Sequence, residues 1–107
     1  MELFRQMLIL FSALATVSRE EGWVKPQMTS TEDSDGQFAI RDGRHPLHEK
    51  VVDLFVPNDT NMGGSFGNKV LILTGPNASG KSVYLKQVGI ICYLAHLGNY
   101  IFKFSAN

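Results

Sequence analysis

The chain has 107 residues, 44 % of them hydrophobic, and its 10 lysines and arginines balance 10 aspartates and glutamates. That length bounds it to at most one domain with a modest core, short for an α/β unit of several parallel strands covered on both faces. Zero net charge offers neither a basic field for nucleic acid nor an acidic tail. The single cysteine argues against a disulfide framework and fits a reducing compartment.

Glu2 to Glu21 reads as an amphipathic helix, because Leu3, Phe4, Met7, Leu8, Phe11, Leu14 and Ala15 recur at three- and four-residue spacing. Met7 to Val17 has the length of a secretory apolar segment, with Ala13-Leu14-Ala15 resembling a cleavage site. Glu2 beside Arg5 leaves no net positive charge ahead of it, so the helix reading prevails. The run is too short to span a bilayer. Gly22 marks the helix end, Trp23 and Val24 are expected to dock on the core, and Pro26 stops any continuation. Thr29 to Gly36 is polar and reads as an exposed connector.

Gln37 to Arg41 reads as a short strand with Phe38 and Ile40 on one face, followed by an Asp42-Gly43 turn. Pro46 biases His45 towards an extended conformation. Val51 to Val56 is a second strand candidate, and Asn58 to Asn68 reads as a loop carrying Gly63, Gly64 and Gly67. Val70 to Thr74 is apolar without alternation, the pattern of a central strand buried on both faces. Val83 to Leu97 reads as a helix, apolar nearly all round and therefore packed between layers. Gly89 within it predicts a close approach by a neighbouring backbone, since it costs about 1 kcal/mol of helix propensity. Cys92 reads as a small buried hydrophobe. Gly98 ends the helix, and Asn99 to Phe104 reads as the start of another strand.

Between strand and helix stands Gly75-Pro76-Asn77-Ala78-Ser79-Gly80-Lys81-Ser82, a complete G-x-x-x-x-G-K-[ST] loop. Glycines let main chain approach a polyphosphate closely, and amides around Ala78 to Ser82 would point inward. The helix N-terminus adds unpaired donors and a partial positive charge. In such a cradle Lys81 reaches the β- and γ-phosphates, and the Ser82 hydroxyl holds Mg²⁺. The bland alternative is a glycine-rich turn with a surface lysine. Flanking strand and helix signals disfavour it. His48 and His96 have no partners at metal-ligand spacing, so no transition metal is expected.

Several segments together resemble the MutS family of DNA mismatch-recognition ATPases. Thr74 to Ser82 is similar to that family's nucleotide loop. Gly43-Arg44-His45-Pro46-Leu47-His48-Glu49 resembles its G-R-H-P-x-x-E motif, and Phe55-Val56-Pro57-Asn58-Asp59 its F-[IV]-P-N-D segment. Tyr84-Leu85-Lys86-Gln87-Val88-Gly89 and Gly98-Asn99-Tyr100-Ile101 follow in register, so the resemblance spans roughly Leu10 to Ile101. Ala78-Ser79 and Val83, where most members carry Met-Gly and threonine, resemble the family's meiotic branch, as does Glu20-Glu21-Gly22-Trp23-Val24-Lys25-Pro26.

The resemblance implies an α/β fold: an incomplete P-loop NTPase core of the ABC type behind a lever helix. Residues 1–36 would be the C-terminal piece of the helical lever with its connector, and 37–107 the N-terminal part of the ATPase domain. ATP or ADP with Mg²⁺ would be bound by Gly75, Pro76, Asn77, Ala78, Ser79, Gly80, Lys81, Ser82 and Val83. Phe55 would stack on the adenine, although a phenylalanine in an apolar run is more often core. Asn77 would sit near the γ-phosphate, its bland reading being a turn asparagine. Arg44, His45 and Pro46 read as structural. Implied partners are DNA, through other parts of the protein, and another meiotic MutS homologue in a heterodimer, in the nucleus and away from membranes. Hydrolysis needs a carboxylate for Mg²⁺ and a residue that orients water. No acidic run follows the loop, and Phe102 to Asn107 departs from the family's V-P-A continuation. The expectation is therefore a truncated chain, inactive as a hydrolase on its own. The alternative is a non-catalytic piece that docks on a partner through its apolar helices.

Overall fold

A computed structural model describes residues 1–28 and 36–98. Most of the expected connector and the whole segment Asn99 to Phe104 lie outside the described residues. The first element is α1, Glu2–Glu20, close to the expected helix. Glu2 in its first turn and Arg19 in its last complement the helix dipole. Its end is a Schellman closure around Gly22, φ +65°. The Trp23 amide donates to Ser18 O at 2.8 Å and the Gly22 amide to Arg19 O at 3.3 Å. Trp23 and Val24 follow half-buried, as expected of a docking segment. The apolar stripe of α1 lies open: Leu3, Phe4, Met7, Leu8 and Phe11 are all exposed.

The centre of the molecule is an antiparallel hairpin, β1 (Phe38–Gly43) with β2 (Asn58–Met62), against a second helix, α2 (Lys81–His96). Phe38 pairs with Met62, Ala39 with Asn61, Ile40 with Thr60 and Gly43 with Asn58. A bulge falls between Ile40 and Gly43, where Asp42 takes φ +48° and its amide donates to Asp59 Oδ1 at 2.8 Å. Ile40 and Ile91, 1 % and 2 % exposed, form the core, with Phe38, Val88, Leu94 and Ala95 packed around them. Thr60 Oγ1 and Tyr84 Oη, 2.7 Å apart, tie β2 to α2. A Cβ on Gly43 would stand 2.7 Å from Gln87 Nε2 and 2.8 Å from Asn58 O, so only glycine lets sheet and helix meet here.

Five expectations are corrected. Val51 to Val56 and Val70 to Thr74 form no strand; each lacks a ladder partner among the described residues. Asn58 to Met62, read as loop, is instead β2: its neighbour β1 supplies the hydrogen bonds, and Thr60 alternates inward between exposed Asp59 and Asn61. α2 is buried along one face only, with Leu85 and Tyr93 61 % and 66 % exposed, because one layer rather than two packs on it. Among the described residues nothing lies within 4 Å of a Cβ built on Gly89, so none of their backbone approaches it. Among the described residues the fold is thus a small α/β arrangement of two helices and a two-stranded antiparallel sheet. The parallel sheet of a P-loop NTPase core is not part of it.

Candidate functional site

The phosphate loop enters α2 through a tight turn. The Ser79 amide donates to Pro76 O at 3.3 Å, Ala78 takes the left-handed φ of +64°, and Gly80, at φ +93°, is the N-cap. The helical ladder begins with the Tyr84 amide on Gly80 O at 3.0 Å. The amides of Lys81, Ser82 and Val83 therefore stand at the helix start, and no side chain caps them. Lys81 Nζ arches back over the loop and donates to the carbonyls of Gly75 and, at 2.9 Å, Pro76. A Cβ on Gly75 would meet Ser79 Oγ at 2.9 Å, so a side chain there would have to displace that hydroxyl. Uncapped amides, a left-handed glycine and an ammonium group converging on one concavity form a donor set suited to a polyphosphate.

The loop borders a cavity of about 680 Å³ between α2 and the segment from Leu54 to Asp59. Of the expected binding residues it brings together Phe55, Gly75, Pro76, Ser79, Gly80, Lys81 and Val83. Asn77 and Ala78 sit at the exposed tip of the turn, and Ser82 is exposed on the first turn of α2; none of these three lines the cavity. Phe55 is half-buried. Arg44 Cζ lies 5.5 Å from its ring centroid, and His48 meets it edge-on with centroids 6.2 Å apart. The Arg44 guanidinium is held in turn by Glu49, whose Oε1 accepts from Nε at 2.5 Å.

His45 organises this corner. It is buried, and its Nδ1 accepts from the Leu47 and His48 amides at 3.2 and 3.1 Å, capping the 3₁₀ turn His48–Lys50. Burial first, and the neighbouring His48 second, hold its pKa below the usual histidine value, which favours the neutral accepting ring. Arg44, His45 and Pro46 thus serve structure, as expected, while setting the surroundings of Phe55. Cys92, outside this site, is half-buried, and desolvation pushes its thiol up, as suits a packing residue.

Reading the sequence missed Tyr84 and Gln87 as cavity residues. Gln87 is 0 % exposed and is the only fully buried member of the lining. Its Nε2 and Oε1 have no hydrogen-bond partner among the described residues. Burying an unpaired amide in this way costs on the order of 1–3 kcal/mol. The signal was present: Lys81, Tyr84 and Gln87 fall three residues apart, so they share one side of α2. Among the described residues, no group of three histidine, cysteine or acidic side chains stands together as a metal site. No helix there is long and apolar enough to cross a membrane.

Residues 71–107 match the family described as MutS domain V. A DNA mismatch repair protein MutS from Thermosynechococcus vestitus is 49 % identical over 90 residues, 82 % of this chain and 10 % of that protein. The Pseudothermotoga lettingae MutS is 38 % identical over 98 residues, 92 % of this chain and 11 % of its own length. The DNA mismatch repair protein MSH3 of Coccidioides immitis is 39 % identical over 92 residues, 85 % of this chain and 8 % of that protein. The chain therefore spans about a tenth of the length of the curated relatives it matches.

Proposed function

The chain belongs to the MutS family through its domain V segment, and on that premise we propose that it is the ATP-binding portion of a DNA-binding mismatch-repair ATPase. The observation that carries this reading is one cavity walled by the G-x-x-x-x-G-K-S loop on one side and Phe55 on the other. The donor set at the start of α2 fits a triphosphate. Gly80, Lys81, Ser82 and Val83 offer main-chain amides, and Lys81 exchanges its bonds to the Gly75 and Pro76 carbonyls for phosphate oxygens. Ser82, beside the loop, would hold Mg²⁺, which would offset the negative charge of the phosphates. Phe55 stacks on the base, with Arg44 and His48 fixing its ring.

The finer reading is a nuclear protein of the meiotic branch, MutS homolog five, paired with another meiotic MutS homologue on branched or mismatched DNA. Ala78-Ser79, Val83 and the Glu20 to Pro26 segment support that branch. DNA contacts belong to parts of the protein outside this chain. Binding rather than hydrolysis is assigned to these residues, because hydrolysis requires a carboxylate and a water-orienting group beside the loop.

The test is titration of the purified chain with a fluorescent ATP analogue in Mg²⁺. Lys81→Ala is expected to weaken affinity at least ten-fold, on the order of 1.4 kcal/mol. Equal affinity of variant and wild type would remove Lys81 from the site. A second reading, docking on a protein partner without nucleotide, draws on the open apolar stripe of α1. It predicts no saturable ATP binding in that titration.

A further inference from the structure

We infer that His45 is the positioning residue for Phe55, and that a proton taken up at its Nδ1 releases the ring, so that the site loosens its hold on the base while keeping its hold on the phosphates. This rests on the nucleotide reading above and adds to it a proton-sensitive support for the stacking residue.

His45 anchors its turn through side chain and main chain together. Its Nδ1 accepts from the Leu47 and His48 amides, and its carbonyl accepts from the Glu49 amide at 3.0 Å. That turn carries both groups that fix Phe55. His48 meets the ring edge-on, and Glu49 holds the Arg44 guanidinium that stands over it. The His45 ring in turn packs edge-on against His48, with centroids 6.1 Å apart. Phe55 belongs to no helix or strand, so these side-chain contacts, and not a backbone ladder, set its ring. Phe55 lines the loop cavity and His45 does not, so His45 acts on a ligand only through the turn.

The chemistry of the ring supplies the switch. A neutral imidazole that accepts at Nδ1 carries its hydrogen on Nε2, so the next proton enters at Nδ1. The cap then becomes a donor facing two amide donors, and both amides lose their acceptor. The new charge is poorly placed, because the ring is buried and its charged neighbours are His48 on the turn and Lys86 on α2. The carboxylate of the turn, Glu49, is already engaged by Arg44. Opening the turn to water relieves the charge, whereas a base stacked on Phe55 favours the closed turn. Proton uptake and base binding therefore oppose each other.

The experiment is competition of the fluorescent ATP analogue from the purified chain by unlabelled ATP and by inorganic tripolyphosphate, in steps from about pH 7.5 to about pH 5. It compares wild type with Phe55→Leu, which removes the stacking ring, and with His45→Asn, whose Oδ1 can accept in place of Nδ1 but takes no proton. Protons on the ligand and on His48 are common to all three proteins and cancel in their ratios. For ATP, the advantage of wild type over Phe55→Leu is expected to shrink about five-fold on acidification, as the stacking contribution is lost. Wild type relative to His45→Asn is expected to fall by about as much. For tripolyphosphate both ratios stay constant. A wild-type to Phe55→Leu ratio for ATP that does not change with pH overturns the inference, whether or not His45→Asn folds. An equal fall for tripolyphosphate also overturns it, since the proton then acts on the loop or the whole fold. Either result leaves the phosphate site standing. Failure of both ligands to compete at any pH removes the nucleotide reading itself, and the inference with it.

Discussion

β2 and the run from Val70 to Thr74 are near neighbours in the chain with opposite character. Asn58-Asp59-Thr60-Asn61-Met62 is polar and forms a strand; Val70-Leu71-Ile72-Leu73-Thr74 has the strongest strand composition in the chain and forms none. The difference lies in what stands beside them. β1 offers β2 a row of amides and carbonyls in register, with Thr60 turned inward to Tyr84. The apolar run has no such edge among the described residues, and Ile72 is 82 % exposed. Strand formation is an agreement between two pieces of backbone, and side-chain preference alone does not supply the second piece. An exposed apolar run of this kind is a surface that another element fits.

The contrast can be broken by one matched pair of substitutions. Ile40→Ala should cost about 3 kcal/mol in chemical unfolding followed by circular dichroism, since it empties the space between β1 and α2. Ile72→Ala should stay within about 0.5 kcal/mol in the same measurement. Similar losses at the two positions would mean that the apolar run is paired in solution. Next in size, Tyr84→Phe removes the 2.7 Å bond to Thr60 and should cost about 1 kcal/mol, sharpening the claim that β2 is held from two sides.

The smallest effect concerns pH. His45 is held below its ordinary value of 6.5 in the folded chain. The unfolded chain therefore takes up the proton first as pH falls, and stability present above 6.5 declines as pH drops towards the folded pKa. Protonated Nδ1 cannot accept from the Leu47 and His48 amides. Amide protection at those two positions, measured against the intrinsic exchange rate at each pH, should fall on acidification, while protection across β2 stays high by comparison. A flat profile at His48 would remove the histidine from its capping role.

Local chemistry explains which parts of the chain were legible from its residues. The end of α1 could be read because glycine at a helix terminus forces its own geometry, and the start of α2 because Gly80-Lys81-Ser82 closes a loop into a helix. Phe38 and Ile40 alternate, so β1 was visible too. β2 was not, since its pattern is polar and its stability comes from a partner some twenty residues earlier. Most of the expected phosphate-loop residues do gather at one cavity with Phe55. Asn77, Ala78 and Ser82 do not line it, because the turn carries the first two to its tip and α2 directs the third outward. Gln87 escaped notice because a glutamine within an apolar helix reads as a solvated face until burial shows otherwise.

One ion pair links the long first helix to the turn beside the cavity. Glu21, the C-cap of α1, pairs with Lys50 at the end of the turn that presents His48 to Phe55. Both partners are partly exposed, so the clasp is worth no more than about 1 kcal/mol. It also weakens as the screening length falls to roughly 3 Å in molar salt. That link between the first helix and the turn is accordingly loosened by electrolyte, whereas the hairpin, held by backbone bonds and an isoleucine core, is far less sensitive to ionic strength.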